Sequence, residues 1–440
     1  MLKRTVKRIS KSICVDIDNA YYTEGCRANK SASFCCIKSM VNLPIQVYLL
    51  LTFILCMFSL APNAFSNPEV RGLWIVRDAI TTPEKVRNLV DFADMHRFNV
   101  LFVQVRGRGD AFYYSYFVPG PEDYPSIPDS FDPLEEVITL AHKKGIEVHA
   151  WLNMYLTWSS DKSPNHPDHP LTKYPEWFMV SVTGLNMGLC PIDSVRNTMV
   201  EGRYISPNLE QVRDYLSRMI TEIVVTYNVD GIHMDYIRYP GREYDFHPVV
   251  CRDFSELYGV DPVDVVNGSG QVDPTLMYLG KWVEYKNEQI DKQVRSVRRR
   301  INLIDKNIRL SAAVKSHADE AYYQFGQNWA GWLNEGILDF AVTMSYYPDS
   351  DQLYKVMSEN LEKVDRRKII GGIGSFMIQP VQTMEQISLI RKMELLGYCL
   401  FSYTTFMEKP DLATRLSAFL KPSDNGFPRE FKHYLRTVYE

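Results

Sequence analysis

Residues 227–240 read YNVDGIHMDYIRYP. The β-prone run Gly231–Ile237 follows a segment in which Val212, Leu216, Ile220, Ile223 and Val224 recur at helical spacing. Ser206-Pro207-Asn208 marks where that helix begins. A helix delivering the chain into a short buried strand is half of a βαβ unit, and the same alternation recurs on both sides of it. The runs with strand character are Arg71–Val76, Val100–Val105, Ile146–Leu152, Gly231–Ile237, Ile308–Val314, Leu338–Met344, Lys368–Ile373 and Tyr398–Tyr403. Helices are expected from Thr82-Pro83, from Pro133, and over about 274–300, 327–335, 351–364, 381–396 and 411–420. These pairs predict an α/β chain closed as a (β/α)8 TIM barrel. An open doubly wound sheet would carry a glycine-rich phosphate loop after its first strand, and none follows Val76.

Two connections are long: 153–204 after the third strand and 238–273 after the fourth. On a barrel both leave from the face where the carboxyl ends of the strands converge, which is the face that carries active sites. Loops of this length are usually functional, and these two are expected to wall a cleft.

Residues 43–60, LPIQVYLLLTFILCMFSL, are uncharged, and Ala64 and Ser66 supply the small residues of a cleavage site. The expected organisation is an N-terminal extension and signal peptide over 1–66, with Met40 an alternative start, then a barrel domain over 67–420 and a tail over 421–440. That organisation implies a bacterial secreted or cell-envelope protein, touching a membrane only through the N-terminal segment if it is not cleaved. Five of the eight cysteines precede residue 67, leaving Cys190, Cys251 and Cys399, which form no disulfide framework and allow one bridge at most. Without the eight basic and three acidic residues of 1–40, the chain holds 41 basic and 50 acidic side chains, a net charge of −9. A mildly acidic barrel without a basic stripe excludes a nucleic-acid partner from expectation. Aromatic residues make up 12%, which suits stacking on sugar rings.

Alternation along Gly231–Ile237 points His233, Asp235 and Ile237 to one face, the barrel interior, with Asp235 nearer the mouth. A carboxylate there is costly unless paired or hydrogen-bonded, so Asp235 is the first catalytic candidate. Glycoside hydrolysis needs two carboxyl groups, one to protonate the leaving oxygen and one to attack the anomeric carbon or activate water. Asp110, in QVRGRGD after the second strand, is the second candidate, and capping of its own loop is the competing role. Asp319, Glu320, Asp349 and Glu408 follow later strands and are rivals. Substrate contacts are expected from Arg106, His149, Trp151, Asn153, His233, Arg238, Tyr346 and Tyr403, with a hydrogen-bonded network inside the barrel as the alternative for all of them but Trp151, above all for the two histidines. Trp151, Trp158 and Trp177 are candidate sugar platforms, with ordinary loop packing the competing role for Trp177. HPDH at 166–169 lacks the one-face spacing of HExxH and reads as a turn, so no metal or other cofactor is expected.

Five segments together resemble the glycosyl hydrolase-like 10 family of bacterial envelope and secreted proteins. They are RGLWI at 71–75, FVQVRGRGDAFYYS at 102–115, VHAWLN at 148–153, YISPNLEQVRDYL at 204–216 and VDGIHMDYIRYP at 229–240. The resemblance spans the whole barrel and implies a (β/α)8 fold, glycan substrates and, in some members, action on peptidoglycan glycan strands. A more distant similarity is to family 18 chitinases, whose fourth strand reads DGxDxDxE. Here Ile237 stands where the chitinase acid would be, which argues against substrate-assisted chemistry, while Met344-Ser-Tyr346 is similar to the chitinase MxY motif. The expectation is a glycoside hydrolase acting on a polysaccharide by carboxylate acid/base catalysis. A non-catalytic carbohydrate-binding barrel and a metal-dependent polysaccharide deacetylase are the alternatives.

Overall fold

Each predicted strand run is found in a closed parallel barrel. The structure is a computed structural model that describes residues 69–124, 127–128, 130–196, 200–268 and 276–420. The expected leader and tail lie outside these residues. The barrel strands are β1 (Val70–Ile75), β2 (Val100–Arg106), β3 (Glu147–Asn153), β4 (Gly231–Asp235), β5 (Arg309–Lys315), β6 (Phe340–Met344), β7 (Ile369–Ile373) and β8 (Gly397–Leu400). Closure runs through β1 against β8, with Val70 opposite Gly397 and Leu73 opposite Leu400.

Side-chain alternation divides each strand between two apolar layers. Leu73, Leu101, Val103, Val148, Ala150 and Ile232 face outward against the helices. Val70, Trp74, Phe102, Trp151, Phe340, Val342 and Ile370 fill the interior. Close approach inside the barrel demands glycine at two points. A Cβ on Gly231 would stand 2.2 Å from His149 Nδ1, and one on Gly372 would stand 2.7 Å from the Trp74 ring.

The helices surrounding this sheet start where their caps predict. Helix α1 (Pro83–Met95) opens with the Thr82 side chain accepting the Lys85 amide, and α2 (Pro133–Lys143) with Asp132 accepting the amides of Leu134 and Glu135. Each such cap stabilises its helix by about 1 kcal/mol. Helix α3 (Glu210–Thr226) buries Val212, Leu216, Ile220, Ile223 and Val224, the stripe read from the sequence.

The connection after β4 is more structured than expected. It folds into α4 (Pro248–Tyr258) and α5 (Pro262–Asn267), which precede the long α6 (Leu276–Ile304). Phe246, Val250, Phe254, Val265, Trp282 and Tyr285 make a separate apolar cluster there. Its signals were present in the His247-Pro248 start of α4 and in Gly259, whose φ of +73° ends that helix. The connection after β3 pairs Leu156–Trp158 with Arg203–Tyr204 as a small antiparallel ribbon, so this long loop doubles back on itself.

Two breaks in alternation position the site. In β2, Gln104 pairs with Trp151 but Arg106 pairs with Leu152, so two residues of β2 advance against one of β3. This bulge turns Arg106 to the outer face, where strict alternation would have put it inside. In β4 the strand stops at Asp235, because Tyr236 adopts φ +49°. Ile237 therefore leaves the interior file and joins the outer core, correcting the expectation that it shares a face with His233 and Asp235.

Candidate active site

The mouth of the barrel is built at the carboxyl ends of β2 to β5. Register places Asn153 beside Asp235, one step above the Trp151–His233 pair. Asp235 is 6% exposed, and its carboxyl is held by two fixed donors: Trp151 Nε1 gives a 3.1 Å bond to Oδ2 and the Tyr236 amide a 2.7 Å bond to Oδ1. The left-handed turn at Tyr236 is the local feature that follows the carboxyl, a conformation that non-glycine residues adopt at a cost of about 1 kcal/mol or more. Burial pushes the Asp235 carboxyl up to about 6, against the opposing pull of the Tyr236 amide, the Arg238 charge and the Trp151 indole.

Arg238, three residues further on, is 3% exposed and lies over the Tyr236 ring at 4.9 Å and the Phe325 ring at 5.4 Å. Its Nη2 meets Glu201 Oε1 at 2.8 Å, and the Tyr204 hydroxyl donates to Glu201 Oε2 at 2.9 Å. Burial pushes the Glu201 carboxyl upward, but the Arg238 charge and the hydrogen bonds outweigh it and hold the group below the ordinary carboxylate range. Lys315, at the end of β5, lies over the other ring shared by this cluster, 4.5 Å from the Phe325 centroid. Burial, then the Arg238 charge, lower its affinity for a proton, while Glu201, Glu320 and Asp235 act the other way.

An aromatic wall adjoins Asp235, with Phe401 6.5 Å from the Trp151 ring that binds it. Tyr346 meets Trp74 at 6.5 Å, Phe376 at 5.8 Å and Phe401 at 5.9 Å, and the Asp235 charge acts on its hydroxyl. Phe376 is 47% exposed, so this wall reaches solvent. Gln104 links the remaining rim, accepting from Arg77 at 3.0 Å and donating to Asn153 at 3.3 Å, while the Asn153 amide donates to Gly107 O at 2.9 Å.

The structure thus brings Asp235, Trp151, Asn153, Arg238 and Tyr346 together, and it places the other candidates elsewhere. Arg106 is fully buried on the outer side of β2, its guanidinium donating to the carbonyls of Asn153 and Met154, so it braces the wall instead of reaching the mouth. His149 and His233 lie below the rim. His149 sits four residues beneath Asn153, about 13 Å along the strand, with its ring 5.3 Å from Phe102. His233 is enclosed between Trp74 Nε1, 3.2 Å from Nε2, and Ser311 Oγ, 2.9 Å from Nδ1. Burial keeps both uncharged, taking His149 down to about 4 and His233 well below the usual histidine value. Tyr403 stacks edge-on against Phe92 of α1 at 5.3 Å, in the shell outside the barrel.

Asp110 is committed to its own loop, where Oδ1 accepts the amides of Gly107 at 3.1 Å and Arg108 at 2.8 Å. Among the rivals, Asp319 pairs with Lys363, Asp349 caps the helix Ser350–Leu361, and Glu408 is exposed. Trp158 is buried against His169, and Trp177 stacks on Tyr174 at 4.0 Å, so neither offers an open face. HPDH is a turn: His166 accepts the Asp168 amide, Asp168 pairs with Lys173, and His169 caps the short helix Pro170–Lys173. Cys190, Cys251 and Cys399 are free thiols.

Sequence reading missed Glu201 and Lys315. Lys315 was legible, because it follows Ser311 and Ala313 at alternate positions one residue beyond the predicted strand. Glu201 carried no such signal, since only the folding back of the 154–202 connection brings it to Arg238.

A closed parallel barrel with a buried carboxyl, a paired arginine and an aromatic wall at its carboxyl-end face defines a glycoside hydrolase-like barrel. Residues 69–371 match the family described as Glycosyl hydrolase-like 10, and the chain belongs to that family. It is 28% identical over 222 residues to glycosyl hydrolase YngK of Bacillus subtilis (strain 168), covering 47% of this chain and 40% of that protein. It is 27% identical over 155 residues to glycosyl hydrolase DigH of Escherichia coli (strain K12), covering 32% of each. The matches thus span less than half the length of these relatives. Among solved structures, the PgaB (BpsB) glycoside hydrolase domain from Bordetella bronchiseptica superposes with a TM-score of 0.60 at 14% identity, covering 81% of this chain and 100% of that one. The catalytic domain of β-amylase from Paenibacillus polymyxa gives 0.54 at 10% identity, covering 80% and 99%. At these identities the likeness is one of fold.

Proposed function

We propose that this protein hydrolyses glycosidic bonds in an extended glycan outside the cytoplasm, with peptidoglycan glycan strands as the first substrate to try and Asp235 as the general acid. The observation that carries this reading is the placement of Asp235. Its carboxyl is enclosed at the end of β4, oriented by Trp151 and Tyr236, and pushed up to about 6. A carboxyl kept protonated into the weakly acid range can deliver a proton to a leaving glycosidic oxygen. The wall of Tyr346, Phe376 and Phe401 beside it suits the apolar face of a sugar ring. Family membership and the glycosidase-like fold support the same chemistry, and the uncharged run at 43–60 supports export.

The test is reducing-end release by the purified protein from peptidoglycan, with and without its stem peptides, and from a panel of other polysaccharides. Cleavage by the native chain and loss of it in Asp235→Asn is the expected result. Glycan binding without cleavage by the native protein would favour a carbohydrate-binding barrel, and normal cleavage by Asp235→Asn would remove Asp235 from the mechanism.

A further inference from the structure

A single protonated carboxyl cannot complete glycoside hydrolysis, because the attacking water must also lose a proton. The sequence offered Asp110 for that task, but Asp110 spends its Oδ1 on the amides of its own loop. The rim contains another carboxyl that no motif announced. Glu201 is joined to the buried guanidinium of Arg238 at 2.8 Å and to the Tyr204 hydroxyl at 2.9 Å, yet its side chain remains 42% exposed. It is therefore fixed in place and still open to a water molecule. Its charge acts on Asp235, while among the described residues no hydrogen bond joins the two carboxyls. Geometry puts both on one rim: Arg238, which holds Glu201, lies over the Tyr236 ring at 4.9 Å, and the Tyr236 amide binds Asp235 at 2.7 Å.

We propose that Glu201 is the second catalytic carboxyl of this site, accepting a proton from the water that attacks the anomeric carbon, with Arg238 as its positioning residue. This inference rests on the glycoside hydrolase reading. In the step, the water oxygen bonds to the anomeric carbon as the bond from that carbon to the leaving oxygen breaks. The water proton passes to Glu201, and the leaving oxygen takes the proton of Asp235. Solvent then removes the proton from Glu201 and restores the one on Asp235, so no other reactant is consumed. The environments agree with the division of labour: burial raises Asp235, whereas Arg238 and its companions hold Glu201 below the ordinary range, and two carboxyls driven apart in this way take opposite roles.

The experiment uses the full chain and glycan strands freed of stem peptides, with Glu201→Gln, Glu201→Ala and Asp235→Asn compared from pH values below the ordinary carboxylate range up to pH 8. Glu201→Gln is expected to lower kcat by about 10³-fold with KM nearly unchanged and to erase the acidic limb of the pH profile. Added azide is expected to restore turnover to Glu201→Ala, because a small anion in the vacated space replaces the missing carboxylate function, whereas Asp235→Asn should not respond. Glu201→Gln that keeps its rate and its acidic limb while Asp235→Asn is inactive would overturn this inference and leave the glycosidase reading standing. A native protein that cuts no glycan would overturn that reading first, and the role of Glu201 with it.

Discussion

His233 and Asp235 stand two residues apart on β4, and their side chains face the same barrel interior. His233 is fully enclosed, and since the Trp74 indole can only donate, Nε2 accepts from it and Nδ1 carries the proton to Ser311. Both polar atoms are thus satisfied by neutral partners, and the ring works as a shaped piece of the core. Asp235 is nearly as buried and each of its oxygens takes one donor, but the charges that act on it are those of Arg238, Glu201 and Lys315. One step along a strand, about 7 Å over two residues, separates a polar group closed into the core from a carboxyl set among charges. The difference lies in level within the barrel: the lower layer is closed by Phe102 and Phe340, while the upper layer is finished by loops that bring charge.

The largest expected effect lies at the upper level. Asp235→Asn should lower the turnover of a cleaved glycan by about 10³-fold, and in the native protein kcat should fall as pH rises through about 6, where the acid loses its proton. The same substitution should stabilise the fold. A carboxyl whose folded value is raised contributes stability that is full below its unfolded value near 3.8 and is lost as pH rises through about 6. Asn should therefore raise unfolding stability by as much as about 3 kcal/mol at pH 8 and much less at pH 4, read as the shift in Tm at each pH. An unchanged difference across that range would mean that Asp235 is not held in its protonated form.

Bracing of the wall comes next. Arg106→Ala should cost about 3 kcal/mol of stability, because the carbonyls of Asn153 and Met154 lose a buried donor, and urea unfolding would read this directly. At the lower level, His233→Leu should cost about 2 kcal/mol, since the Trp74 N–H is left without its acceptor. It should leave the pH dependence of turnover in place, and a displaced pH profile would erase the distinction between the two levels. The smallest effect is expected at the loop after β2: Asp110→Ala should cost about 1 kcal/mol and keep turnover within about tenfold, below the loss typical of a missing acid or base.

Strand positions and most helix starts were legible because they depend on local pattern. Apolar runs separated by capped amphipathic segments leave few ways to bury both faces of eight strands, and the cap residues Thr82 and Asp132 mark where helices begin. Asp235 and Trp151 were legible for a related reason, since alternation and strand ends place them at the mouth. The same rule failed for Arg106 and Ile237, where a bulge and a left-handed residue reverse the face that a side chain presents. It also failed for His149, whose identity suggested chemistry but whose height in the barrel assigns it to the core.

What the amino-acid sequence determined by itself was the barrel, its family and the strand that carries Asp235, because short-range pattern decides those features. Tertiary structure alone decided that Glu201 meets Arg238 at the rim. Glu201 lies on a connection of about fifty residues, and its approach to Arg238 depends on the ribbon that pairs Leu156 with Tyr204 and on the arginine held over Tyr236. Contacts of that kind are set by how distant segments pack, and no spacing along the chain records them.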